Sequence, residues 1–205
     1  MKKKIILSSA SILLFFIIFS FKTVNTNVLP IGSELPKRDL KLLDVNGNKV
    51  SMNEAKKQNG LLVMFTCNTC PYVIKNQQRT NAVCKYALQN NIGVILLNSN
   101  ENERNDDDSY KAMQDYAKEQ GYKWYYVVDK DSEIADDFGA NRTPESFLFN
   151  KDLKLSYHGA IDDNPGDDKN VSRQHLKEAI SQLVNGKEIA VKESRSVGCG
   201  IKRKE

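Results

Sequence analysis

The 205-residue sequence predicts a mixed α/β fold, a central β-sheet flanked by helices. Three observations predict it. Residues 61–66 (Leu-Leu-Val-Met-Phe-Thr) and 92–98 (Ile-Gly-Val-Ile-Leu-Leu-Asn) are short continuous apolar runs, as expected of strands buried on both faces. Between them, residues 70–90 place Val83, Cys84, Ala87 and Leu88 on one face at helical spacing. Residues 171–184 form a second helical pattern, with Leu176, Ala179, Ile180, Leu183 and Val184 on one side.

The remaining elements follow in order. Residues 1–27 open with Lys2, Lys3 and Lys4, then an uncharged run from Ile5 to Phe21; this is a secretory signal peptide or a membrane signal-anchor, an N-terminal apolar helix. No A-x-A-like cleavage site follows Phe21, and the first cysteine, Cys67, is too distant to carry a lipid there. Positive-inside logic leaves the lysines in the cytoplasm and the chain from residue 28 outside, an extracytoplasmic location in the periplasm or at the cell surface. Asn46-Gly47 between residues 40–45 and 49–52 predicts an N-terminal β-hairpin. Asp106-Asp107-Asp108 precedes a helix over residues 109–120, where acids favour the helix dipole, and Gly121 stops it. Residues 124–129 read as a strand, 132–138 as a short helix, and 146–150 with 153–158 as a closing strand pair. The domain runs over residues 28–187, and residues 188–205 are a basic C-terminal tail containing Cys199.

Charge narrows the function classes. The chain carries 30 basic and 26 acidic residues, a net +4. Residues 1–27 hold four of those bases and no acid, so the remaining 26 bases match the 26 acids. A nucleic-acid binder keeps its basic excess on the folded part. This domain has none, and no nucleic-acid partner is expected.

The chemistry-bearing motif is Cys67-Asn68-Thr69-Cys70, placed between the strand at 61–66 and the helix that follows. A helix start presents unpaired N–H groups and the positive end of the macrodipole, which favour a thiolate. A second cysteine three residues on can then resolve a mixed disulfide. Pro71 fits the first helical turn, where its missing N–H is harmless. A zinc site would need a second ligand pair, and Cys84 and Cys199 form none. In an exported chain, CxxC at this junction points to dithiol/disulfide chemistry.

Three stretches resemble the thioredoxin superfamily, specifically its AhpC/TSA-like (peroxiredoxin-like) redoxins and its TlpA/ResA-type thiol–disulfide oxidoreductases: Phe65-Thr66-Cys67-Asn68-Thr69-Cys70-Pro71-Tyr72-Val73, Arg142-Thr143-Pro144-Glu145-Ser146-Phe147-Leu148-Phe149, and Val197-Gly198-Cys199-Gly200-Ile201-Lys202. The resemblance implies a thioredoxin-like fold. It implies that Cys67 is the exposed attacking thiol and Cys70 the resolving one, leaving an oxidised 67–70 pair. Thr143-Pro144 would be the cis-proline loop whose backbone receives an extended substrate. Partners would be protein disulfides or dithiols and a redox partner protein, with membrane attachment through an uncleaved N-terminal segment, and no cofactor is needed. One departure matters. Aligning the peroxiredoxin P-x-x-x-T-x-x-C motif on Cys70 puts Cys67 at the Thr and Val63 at the Pro.

Two alternatives stand beside this reading: a peroxiredoxin-like hydroperoxide reductase with antioxidant activity, and a non-enzymatic copper-binding chaperone using Cys67, Cys70 and His158. Other residues carry weaker signals. Cys84 reads as a buried, inert thiol. Cys199 reads as a mobile, exposed tail cysteine that docks against the domain, or as a third redox thiol resolving Cys67. Glu145 reads as a solvated strand end, with a proton acceptor as the alternative. The acidic loop at residues 162–168 reads as a solvated turn lacking EF-hand spacing.

Overall fold

The computed structural model describes residues 27–204; the apolar segment ahead of them lies outside the described residues. Among the described residues no helix is long and apolar enough to cross a membrane. In chain order the elements are β1 (Leu42–Leu43), β2 (Lys49–Val50), α1 (Met52–Ala55), β3 (Gly60–Thr66), α2 (Pro71–Gln89), β4 (Ile92–Asn98), α3 (Tyr110–Glu119), β5 (Tyr125–Val128), α4 (Glu133–Phe138), β6 (Arg142–Thr143), β7 (Glu145–Phe149), β8 (Leu155–Gly159), α5 (His175–Val184) and β9 (Cys199–Gly200).

The central sheet has the order β5-β4-β3-β7-β8. The strands β3, β4 and β5 run parallel, whereas β7 and β8 are antiparallel to their neighbours, so the sheet is mixed. Every residue of β3 and β4 is buried, which accounts for their unbroken apolar runs. Successive side chains of β3 serve opposite layers. Leu61, Val63 and Phe65 pack with Phe138, Phe147 and Phe149 under α1 and α4. Leu62 and Met64 pack with Cys84, Ala87, Leu176 and Ile180 under α2 and α5. Helices on both faces of a mixed sheet give the layered α/β architecture, and its strand order and directions fit a thioredoxin-like fold.

The N-terminal pair β1/β2 is short and antiparallel, with Gly47 at a positive φ of 84° in the turn. The strand predicted to reach residue 52 stops at Val50. Ser51 there starts α1 through a capping box, accepting from the Glu54 N–H while its own N–H donates to the Glu54 carboxylate. The last helix begins at His175 rather than at 171, because Ser172 N–H and Arg173 C=O are bonded to Asp163 instead of to a helical turn. The loop at 162–168 is exposed at Asp163 and at Gly166, Asp167 and Asp168, as a solvated turn should be, but not at its first residue. Asp162 is buried against Arg79 at 2.6 Å, and Arg79 also donates to the Asn164 and Pro165 carbonyls, tying the loop to α2.

At the centre of the first layer, Phe147 meets Phe65 and Phe138 edge-on at 5.6 and 5.0 Å and stacks under the His158 ring at 4.5 Å. Truncating so well packed a ring removes its transfer energy and leaves a cavity. Phe147→Ala is therefore expected to lower unfolding free energy by about 3–5 kcal/mol in urea titrations; a loss under about 1 kcal/mol would contradict this packing.

Candidate active site

Parallel pairing in register from Gly60↔Ile92 to Thr66↔Asn98 ends β3 and β4 at one level. The chain leaving β3 (Cys67-Asn68) therefore lies beside the chain leaving β4 (Ser99-Asn100). A buried carboxylate, Asp108, joins them. It accepts from the Asn68 backbone N–H at 2.9 Å, from the Asn98 side chain at 2.6 Å and from the Asn100 side chain at 2.8 Å. The Asn68 side chain donates to the Asp107 carbonyl and accepts from the buried Tyr126 hydroxyl, both at 2.8 Å. Each bond to the charged group is worth about 1.5–3 kcal/mol, enough to fix the turn between the cysteines.

After that turn Cys70 is the N-cap of α2, and Pro71 occupies the first helical position as predicted. Facing the cysteines is the cis Thr143–Pro144 peptide. The Thr143 hydroxyl lies 3.4 Å from Cys67 Sγ, and its carbonyl oxygen lies 3.3 Å from Cys70 Sγ. Glu145 fixes this segment from behind. One carboxylate oxygen accepts from the Asn141 and Arg142 N–H groups at 2.9 and 3.0 Å, and the other pairs with His158 Nε2 at 2.7 Å. It is thus a buried anchor, 3% exposed, and not a solvated strand end, because two backbone donors and an imidazole converge on it. The copper reading required His158 beside the cysteines. His158 instead pairs with Glu145, and among the described residues no three His, Cys, Asp or Glu side chains are placed to hold a metal ion.

The tail changes the expected site most. It docks against the domain as expected, β9 pairing antiparallel with β6 and Thr143 opposite Cys199, but Cys199 is bonded to Cys70 and not to Cys67. Cys67 is a free thiol, so the oxidised pair is not 67–70 in this state. Nor is Cys67 exposed. It is 1% exposed in an apolar cluster with Cys70, Val73, Tyr72 and Cys199. Burial pushes its thiol above the ordinary value, outweighing the Thr143 hydroxyl, and the Asp108 charge adds to the rise against the Cys70 and Thr69 N–H groups. The helix-start effect is therefore present but overridden here by desolvation. Cys84 is fully buried on the inner face of α2, and burial raises its thiol strongly, as suits an inert cysteine.

Sequence reasoning missed Asp108, Asn98, Asn100 and Tyr126. Asp108 had a local explanation next to a helix start, although Ser109 is the residue that caps α3. The cluster Asn98-Ser99-Asn100 closing an apolar strand was the available signal.

A dithiol motif at a strand-to-helix junction, opposed by a cis-proline segment and carrying a disulfide, defines the class of thioredoxin-like oxidoreductases. The Redoxin family model matches residues 30–175, and the chain belongs to that family. Among solved structures, an uncharacterized conserved protein from Geobacillus kaustophilus is 31% identical with a TM-score of 0.80, covering 87% of this chain and 94% of that one. A hypothetical protein from Sinorhizobium meliloti 1021 is 28% identical with a TM-score of 0.79, covering 87% and 97%. A curated relative, the thiol-disulfide oxidoreductase ResA of Bacillus anthracis, is 24% identical over 127 residues, 62% of this chain and 68% of that protein.

Asp108→Asn removes the negative charge that raises the Cys67 thiol, so the pH at which Cys67 is half-alkylated by iodoacetamide should fall. The new NH₂ group must also face a donor, which should cost about 1–3 kcal/mol of stability in urea unfolding. An unchanged or upward-shifted alkylation profile would contradict the electrostatic role assigned to Asp108.

Proposed function

We propose that the protein is an extracytoplasmic thiol–disulfide oxidoreductase in cell redox homeostasis, with Cys67 and Cys70 as its working dithiol. The observation that carries this reading is the packing of Cys67 and Cys70 in one apolar cluster, both sulfurs within 3.4 Å of Thr143, with a disulfide already formed at Cys70. The relative named ResA supports the reaction class. The lysine-led apolar segment at residues 1–27 supports export or anchoring, into a compartment where disulfides persist.

In the reduced protein no covalent bond holds the tail over the site. Cys67 thiolate attacks a substrate disulfide, forming a mixed disulfide and releasing one substrate thiolate. Cys70 thiolate then attacks Cys67 Sγ, frees the second substrate thiolate and leaves a 67–70 disulfide, which a redox partner protein reduces. Run backwards, the same steps oxidise substrate thiols. The backbone of Thr143 and Pro144 receives the substrate as an extended strand, in the manner of β-strand addition.

A Cys70→Ser variant tests this mechanism. It should accumulate mixed disulfides through Cys67 with extracytoplasmic proteins, recoverable under non-reducing conditions and lost in a Cys67→Ser/Cys70→Ser double variant. Recovery of none, from cells where the wild-type protein is oxidised, would contradict it.

One observation favours a second reading, hydroperoxide reduction. Cys70 holds the position of a peroxidatic cysteine and is the one bridged to a distant cysteine, as a peroxidatic–resolving pair would be. Cys67 and Val63 in place of the Thr and Pro argue against it. Stopped-flow mixing with hydrogen peroxide should show no consumption above a cysteine-free control; consumption that depends on Cys70 would favour the second reading.

A further inference from the structure

The tail lies against the backbone that faces the cysteines, and its hold is mostly main-chain. Arg142 and Thr143 of β6 pair with Gly200 and Cys199 of β9. Ile201 N–H continues the pairing onto the Asn141 carbonyl at 3.1 Å. Lys202 N–H donates to Asn100 Oδ1 at 2.9 Å, its carbonyl accepts from Asn102 N–H at 2.9 Å, and Arg203 closes the segment on Asp136 and the Ala140 carbonyl. Before the cysteine only glycine fits: a Cβ on Gly198 would lie 2.1 Å from the Thr143 carbonyl oxygen. An extended strand with a cysteine presented to Cys70 and no side chain before it is how a peptide substrate would sit on this segment.

A second observation sets this disulfide apart from a purely structural staple. The third thiol of the cluster, Cys67, is unpaired and packed with the bridged sulfurs, and three cysteines can form only one disulfide at a time. The same Asn100 side chain that accepts from the tail donates to Asp108, which holds the Asn68 N–H next to Cys67. Tail seating and the cysteine turn thus share one chain of hydrogen bonds.

We propose that Cys199 is a third catalytic cysteine and that residues 198–203 are a tethered occupant of the substrate groove, exchanging the disulfide between Cys70–Cys199 and Cys67–Cys70. This rests on the dithiol reading above. In the opening step the Cys67 thiol gives its proton to solvent and the thiolate attacks Cys70 Sγ. The Cys67–Cys70 bond forms as the Cys70–Cys199 bond breaks, and Cys199 leaves as a thiolate that takes a proton from water. No electrons are gained or lost, and the step needs no co-reactant. Its reverse recaps the groove. The oxidised protein therefore rests closed, with Cys67 shielded, and opens by internal exchange. Substrates that compete for the groove are extended segments with glycine before the reactive cysteine.

The full-length protein, oxidised with oxidised glutathione and freed of excess reagent, tests the proposal by disulfide mapping and by maleimide capture of Cys199. Wild type should map mainly as Cys70–Cys199. Gly198→Val, which keeps all cysteines but blocks the seat, should shift the ratio of the two disulfides at least tenfold toward Cys67–Cys70. Cys67→Ser, or Cys67→Ala should the serine fail to fold by circular dichroism, should slow capture of Cys199 at least tenfold. A wild type that maps as Cys67–Cys70, an unmoved ratio in Gly198→Val, or equal capture with and without Cys67 would overturn it. None of these readouts uses a protein substrate, so they can succeed or fail independently of the oxidoreductase assay.

Discussion

The site depends on one buried carboxylate. Asp108 gathers donors from the turn after β3, from the end of β4 and from the loop after β4. An anion without water is tolerated only where hydrogen bonds replace its hydration, and three donors do so here. The geometry that results has two consequences. It fixes Cys67 where the Thr143 hydroxyl can reach it, and it puts a negative charge near a thiol that must ionise to react. The turn is thus positioned well and electrostatically restrained.

Much of the scaffold could be read from local pattern. Strands such as β3 and β4 are buried on both faces, so their sequences are continuous apolar runs, and α5 carries its core face at helical spacing. CxxC followed by proline marked the strand-to-helix junction because proline is tolerated only in the first turn. What local pattern could not carry was long-range pairing. Asp108 is buried only because in-register parallel strands bring Asn68, Asn98 and Asn100 to it. Glu145 looked solvated because its donors, Asn141, Arg142 and His158, come from a turn and from the neighbouring strand. Cys199 sits 129 residues from its partner and is held by backbone hydrogen bonds, which leave no side-chain signature. Gly198 was the one sequence hint of that close approach, since a side chain there has no room.

The contrast between the two cysteine pairings explains the state of the site. A thiol at a helix start is expected to be reactive, yet Cys67 is buried and its ionisation is suppressed. Its surroundings are Cys70, Val73, Tyr72 and the Thr143 hydroxyl together with Cys199 of the tail. The β6/β9 pair is separate from the five-stranded sheet, so once the Cys70–Cys199 bond is exchanged the tail can lift without breaking that sheet. In the proposed mechanism, reactivity depends on what occupies the Thr143–Pro144 segment as well as on the cysteines.

In the proposed reaction Cys67 and Cys70 exchange disulfides with protein substrates. Its most direct measurement is the catalysed reduction of insulin disulfides by dithiothreitol, followed by turbidity. The wild-type protein should accelerate the reaction well above the uncatalysed rate, and Cys67→Ala and Cys70→Ala should each return it to background. Full acceleration by either variant, or none by the wild type, would contradict the account.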